Sequence, residues 1–330
     1  MHRSRSPVAL AALALTLPLL VHAAPATADP GSARVGLHVD AQGRTVHADG
    51  TDLVMRGVSH PHAWYIDRTP TALADIAGLG ADTVRLVLAS GDRWERTDEG
   101  QVADLVARCA DLDLVCMLEV HDTTGYGEDP EAATLDQAVD YWIGVHSALQ
   151  GAEDHIIVNI GNEPYGNDEA TNQGWADDTS AAVMRLRAAG FDHMLVVDAP
   201  NWGQDWQGIM RASAPEVAAA DPHGNTVFSI HMYGVYAQES TVVSYLEHFT
   251  DAGLPLVIGE FGHLHSDGDP DEDAVMAHAD RLGLGYIGWS WSGNSGGVEY
   301  LDMVEEFDVD RLTPWGERIF HGPHGIATGG

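Results

Sequence analysis

Apolar residues in this chain come in short dense runs, and the runs recur. Leu53–Val58, Thr83–Leu88, Val115–Val120, Ile156–Ile160, Met194–Asp198, Thr226–Ile230, Leu256–Ile258 and Gly285–Trp289 each read as a strand buried on both faces. Their starts lie about 30 residues apart, the size of one strand–helix unit. Between them, Thr71–Leu79, Gln101–Arg108 and Leu135–Leu149 carry apolar residues at helical spacing. A hairpin comes first: Leu37–Asp40, a turn over Ala41–Gly43, then Thr45–His47. Eight alternating units predict an α/β chain folded as one (β/α)8 barrel, a TIM barrel, with an N-terminal β-hairpin. An open doubly wound sheet is the alternative. Its first strand usually enters a glycine-rich phosphate loop, whereas this one enters Gly57-Val-Ser-His-Pro-His.

A barrel of this kind builds its active site from the carboxyl ends of its strands. Polar and indole groups gather at those predicted ends: His60, His62 and Trp64, then Arg85, then Glu119 and His121, then Asn162 and Glu163, then Asp198 and Trp202, then His231 and Tyr233, then Glu260, then Trp289. Two carboxylates stand out. Glu163 closes His-Ile-Ile-Val-Asn-Ile-Gly-Asn-Glu-Pro, and Glu260 closes Pro-Leu-Val-Ile-Gly-Glu-Phe-Gly. A carboxylate at the end of a buried run is costly, and a buried ion pair is a poor reason to keep one. Two of them are what glycosidic bond cleavage requires. Glu163 is expected to be the acid/base and Glu260 the nucleophile, with Arg85 holding Glu260 ionised. Asn162 is expected to meet the sugar 2-hydroxyl, His231 and Tyr233 to orient the carboxylates, and Trp289 to stack on a sugar ring. Trp64, Trp94 and Trp202 extend the cleft on this reading. Glu119 and Asp198 read more simply as buried partners of Arg or His. Regular strand would point Asn162 and Glu163 to opposite sides, so a bend is expected there.

Composition narrows the partners. The formal charge of the 330-residue chain is −34, from 50 acidic and 16 basic side chains. Such a surface repels phosphate backbones and anionic bilayers, so a neutral polymer is expected as partner, with no nucleic acid and no membrane. Arg3 and Arg5, an apolar run from Pro7 to Val21, and Ala26-Thr27-Ala28 read as a secretory signal over 1–28. The catalytic domain is then 29–330, starting at Asp29, and the protein is secreted and extracellular. In that compartment Cys109 and Cys116, a helix end and the next strand, are expected to form a disulfide.

Metal signals are weaker. His60/His62 and His263/His265 are each two apart and bring no third ligand at a zinc spacing. The acidic stretch Asp267–Asp273 offers Asp271, Glu272 and Asp273 as a structural Ca2+ site, against a plain helix-capping role. No cofactor is expected for the chemistry.

Several segments together carry a resemblance: Gly57-Val-Ser-His-Pro-His-Ala-Trp-Tyr, Leu118-Glu-Val-His-Asp-Thr-Thr-Gly-Tyr, Asn159-Ile-Gly-Asn-Glu-Pro-Tyr-Gly, Phe228-Ser-Ile-His-Met-Tyr and Gly288-Trp-Ser-Trp-Ser-Gly-Asn. The chain resembles glycoside hydrolase family 5, and within it the secreted actinobacterial endo-1,4-β-mannanases. The resemblance implies a retaining hydrolase of mannan, glucomannan and galactomannan; a monomer is expected. It carries site roles onto Arg85, His121, Asn162, Glu163, His231, Tyr233, Glu260 and Trp289. An endo-β-1,4-glucanase is the alternative enzyme, and a non-catalytic polysaccharide-binding barrel the alternative of another class.

Overall fold

The computed structural model describes residues 36–328; the expected signal segment and Asp29 lie outside them. β1 (His38–Val39) and β2 (Thr45–Val46) form the antiparallel hairpin. Eight strands follow: β3 (Arg56–His60), β4 (Thr83–Leu88), β5 (Val115–Val120), β6 (Ile156–Asn159), β7 (Met194–Asp198), β8 (Thr226–Met232), β9 (Leu256–Phe261) and β10 (Gly285–Gly288). They close a parallel barrel in chain order, with β10 beside β3. The helices are α1 (Thr69–Gly78), α2 (Glu99–Asp111), α3 (Leu135–Gly144), α4 (His146–Leu149), α5 (Glu169–Asn172), α6 (Trp175–Ala188), α7 (Ile209–Ala220), α8 (Glu239–Asp251), α9 (Glu272–Leu282) and α10 (Pro314–His321). No helix among the described residues is long and apolar enough to cross a membrane.

Two elements depart from the sequence reading. The first barrel strand starts at Arg56, because Leu53 and Met55 join Leu37 in an apolar cluster at the barrel floor. The helical pattern over 135–149 breaks at Val145 (φ −111°, ψ 9°), directly after Gly144, a residue that weakens a helix interior. Capping boxes open α2 (Asp98 with Gln101) and α3 (Thr134 with Gln137).

The barrel interior grades from apolar to charged. Along the inward face Val115 and Met117 precede Glu119, Ile157 precedes Asn159, Met194 and Val196 precede Asp198, and Val227 precedes Ser229 and His231. Strand β9 breaks this alternation. Ser229 pairs with Val257 and Ile230 with Ile258, but His231 pairs with Glu260, so Gly259 is an extra residue. Period two from Val257 would turn Glu260 outward; the bulge turns it in. Glycine is required there, since a Cβ on Gly259 would lie 2.1 Å from Ser229 Oγ.

Cys109 and Cys116 form the expected disulfide, with Cα atoms 6.1 Å apart, tying the last turn of α2 to β5. Closing so short a loop stabilises the fold by about 2–3 kcal/mol. At the other end of the chain α10 braces the barrel rim: buried Trp315 donates from Nε1 to the Trp289 carbonyl at 2.9 Å.

Candidate active site

Arg85 organises the site. It points inward from β4 and is fully buried. Its Nε and Nη2 donate to Asn159 Oδ1 at 3.0 and 2.9 Å. Nη1 donates to Glu260 Oε1 at 2.7 Å and Nη2 to Asn162 Oδ1 at 2.7 Å. Asp198 Oδ2 lies 3.3 Å from Nη2, and Glu119 Oε1 3.6 Å from Nη1. Burial opposes the charge, but Glu119, Glu260 and Asp198 outweigh it and raise the arginine's pKa.

His231 sits between the two glutamates. Its Nδ1 is 2.8 Å from Glu163 Oε1 and 3.7 Å from Glu260 Oε2, and its Nε2 is 3.2 Å from Asp198 Oδ2. Burial disfavours a charged ring, yet the charges of Glu260 and Asp198 and the bond to Glu163 push its pKa up to about 10. The ring is therefore an imidazolium at neutral pH, donating from Nδ1 to Glu163, while Nε2 faces Asp198 at ion-pair distance without an aligned hydrogen bond. Gly203, at φ +69°, lets the loop after β7 lie against this ring; a Cβ there would come within 2.5 Å of it.

Glu260 receives one donor on each oxygen, Arg85 on Oε1 and the Tyr233 hydroxyl on Oε2 at 2.9 Å. Burial raises its pKa, while His231 and Arg85 pull it back. Burial, with the nearby charge of Glu260, drives the Tyr233 hydroxyl well above 10, so it stays a donor.

Glu163 lies past the end of β6 with φ +39°, an uncommon conformation for a side-chain-bearing residue. This is the expected bend. It turns the carboxylate toward His231 while the backbone N–H donates to Asp198 Oδ2 at 3.2 Å. Carboxylate oxygens of Glu163 and Glu260 lie within 4.8 Å of one another, with a His231 nitrogen in the same group. That spacing suits direct attack by one carboxylate and falls short of the roughly 6.5–9.5 Å separation of inverting enzymes. Glu163 is also the most open of the four carboxylates: its side chain is 12% exposed, against 6% for Glu260 and 0% for Glu119 and Asp198.

Asn162 accepts from Arg85 and donates from Nδ2 to Thr124 Oγ1 at 2.8 Å. Glu119 and Asp198 are buried ion partners, as expected. His121 donates from Nδ1 to Glu119 Oε1 at 2.8 Å and stacks on Trp289 (centroids 5.6 Å, planes 19° apart). Trp64 and Trp94 complete an aromatic wall, their rings 5.1 Å apart and Trp64 5.4 Å from His121. A cavity of about 510 Å3 is lined by Glu163, Trp202, Trp206, Gln204, Tyr233 and His265.

Other sequence candidates fall elsewhere. His60 Nε2 and His62 Nδ1 share the Thr69 hydroxyl at 2.9 and 2.8 Å, and burial lowers them to about 3 and about 4. They are neutral and fix β3 to α1. Asp271 caps α9 by accepting from Ala274 N at 3.0 Å, and Asp273 accepts from Arg318 Nε at 2.8 Å. Burial raises Glu272. The Ca2+ expectation at these three residues thus rests on composition alone. Asp267 leaves that cluster for the cleft, bonded to His265 and Gln204. Asn159, Trp206, His265 and Asp267 were not anticipated as site residues. Period two along β6 identifies Asn159; the others sit on loops that only the folded barrel brings together.

The model of cellulase (glycosyl hydrolase family 5) matches residues 40–295. The chain belongs to glycosyl hydrolase family 5. Within the family it is 56% identical over 311 residues to mannan endo-1,4-beta-mannosidase of Streptomyces lividans, covering 94% of this chain and 80% of that protein. It is 48% identical to the enzyme of the same name from Cellvibrio japonicus, covering 89% and 68%. The solved beta-mannanase of Thermomonospora fusca superposes with a TM-score of 0.88 at 66% identity, covering 89% of this chain and 97% of that one. Family 5 cellulases at 18–19% identity share the barrel, with TM-scores of 0.64–0.65.

Proposed function

We propose that this chain is a secreted, retaining endo-1,4-β-mannanase acting on internal bonds of mannan, glucomannan and galactomannan. The observation that carries retention is the approach of Glu163 and Glu260 to within 4.8 Å. Glu260, aligned by Arg85 and Tyr233, attacks the anomeric carbon while Glu163 gives its proton to the leaving oxygen. The ester so formed removes the charge of Glu260. Glu163, now a carboxylate, takes a proton from water, and water attacks the same carbon from the face the leaving group vacated. Arg85 and Tyr233 stabilise the departing carboxylate.

The choice of mannan is supported by the names of the relatives and by the complexes of the Thermomonospora fusca enzyme with mannohexaose and mannotriose. Secretion is supported by the sequence of residues 1–28 and by the disulfide, a bond of oxidising compartments. Glucanase activity is the second reading. It is favoured by a 52% identical relative named Beta-mannanase/endoglucanase A, of which this chain spans 20%. Reducing-sugar release from locust bean gum and carboxymethylcellulose, side by side, tests both. Release from the gum alone is expected; release from cellulose alone overturns the proposal.

A further inference from the structure

We infer that Asp198 is a positioning residue of the acid/base cycle: it is the permanent counter-ion of His231, and it keeps that ring charged in the glycosyl-enzyme, where Glu260 no longer can. This rests on the retaining mechanism above.

Geometry carries it. Three carboxylates lie within 4 Å of the His231 nitrogens: Glu163 at 2.8 Å, Asp198 at 3.2 Å and Glu260 at 3.7 Å. Two of them change charge in every turnover. Glu260 loses its charge when it becomes an ester, and Glu163 alternates between acid and carboxylate. Asp198 does neither. Its side chain, at the end of β7, is closed to solvent. Its Oδ1 accepts from Asn159 Nδ2 at 2.9 Å, and its Oδ2 accepts from Arg85 Nη2 at 3.3 Å and from the Glu163 backbone N–H at 3.2 Å. Burial disfavours its charge, but His231 and Arg85 hold it at about 2. The other titratable groups around this cluster are Arg85 on β4, Glu119 and His121 at the end of β5, Tyr233 after β8 and His265 after β9. Of these, among the described residues, Arg85 alone touches Asp198.

The consequence falls on the second half of the reaction. Water's oxygen bonds to the anomeric carbon, the ester bond to Glu260 breaks, and the water proton passes to Glu163. Glu163 must then be a carboxylate, and an imidazolium 2.8 Å from its Oε1 stabilises that form. If His231 lost its proton when Glu260 lost its charge, this support would vanish at the step that needs it. Asp198 prevents that, because its own charge does not cycle. Its Oδ2 also holds the backbone of Glu163, the residue at φ +39°. Asparagine keeps an acceptor oxygen for that N–H and lacks the charge, so it separates the two roles.

Two measurements test this. Wild-type protein labelled with 15N-histidine and trapped as its 2-deoxy-2-fluoromannosyl adduct should show His231 as an imidazolium at pH 7 by NMR, its signals identified by their loss in His231→Asn. The same adduct of Asp198→Asn should show a neutral ring. On aryl mannobiosides whose leaving groups need no proton, a burst of phenolate marks breakdown of the glycosyl-enzyme as limiting kcat. There Asp198→Asn should move the acidic limb of kcat up by at least about one pH unit, a tenfold loss on that flank, with KM little changed. A neutral ring in the wild-type adduct overturns the proposal, whether or not the variant folds. An unmoved limb in folded Asp198→Asn overturns it too, and leaves Asp198 as a backbone anchor only. Absence of any adduct would instead refute the retaining mechanism on which it rests.

Discussion

At the scale of single residues, Glu163 and Glu260 have different dependencies on the substrate. Glu163→Gln removes the proton donor and should lower kcat by about 10²–10⁴ on mannan, with recovery on aryl mannosides whose leaving groups need no proton. Glu260→Gln should fall at least as far and recover on neither. His231 and Asp198 give stability opposite pH dependences. His231 is raised from 6.5 to about 10, so its pairing contributes fully below 6.5 and is lost as pH rises through about 10. Burial opposes the charge of Asp198, but His231 and Arg85 hold it down from 3.8 to about 2; its contribution is present above 3.8 and lost as pH falls through about 2. All 16 basic side chains are arginine, so no lysine titration overlies the alkaline flank. Melting temperature against pH should therefore drop toward pH 10 in the wild type, and His231→Asn should flatten that flank. An unaltered slope in the variant would place the alkaline loss elsewhere. The two glutamates were legible in the sequence because each follows a buried run, and Arg85 because it interrupts one, where charge has no packing reason. His265 and Trp206 were not, because a loop residue outside any buried run carries no such signal.

At the scale of elements, the dense apolar runs read β4, β5 and β7 to the residue. They could not read the bulge in β9. There Gly259 looks like any strand glycine, and only pairing with β8 shows that it is surplus. Gly259→Ala should cost about 1–3 kcal/mol, since the added methyl must displace Ser229. It should also lower kcat at unchanged secondary structure, because Glu260 follows directly. Chemical denaturation and turnover of one sample measure both; loss of stability with full kcat would separate the bulge from the aim of Glu260. Cys109→Ser with Cys116→Ser should lose about 2–3 kcal/mol in the same denaturation experiment. Helix α3 ended early for the complementary reason: apolar spacing continues past Gly144, but spacing reports a face and not backbone continuity.

At the scale of the whole molecule, the charged upper layer of the barrel draws on β4 to β9, and the aromatic wall on loops near both ends of the chain. Trp64 follows β3, while Trp289 follows β10 and is held from behind by Trp315. Trp315→Phe, which keeps the ring but removes the N–H, should raise KM for mannooligosaccharides more than it lowers kcat; an unaffected KM would release Trp289 from that brace. The consequence reaches to biosynthesis. A nascent chain that has emerged only through β9 already carries Glu119, Glu163, Asp198 and Glu260, yet it has neither Trp289 nor the strand that closes the barrel. A product released short of α10, which braces Trp289, is therefore expected to carry the paired glutamates and to turn over poorly.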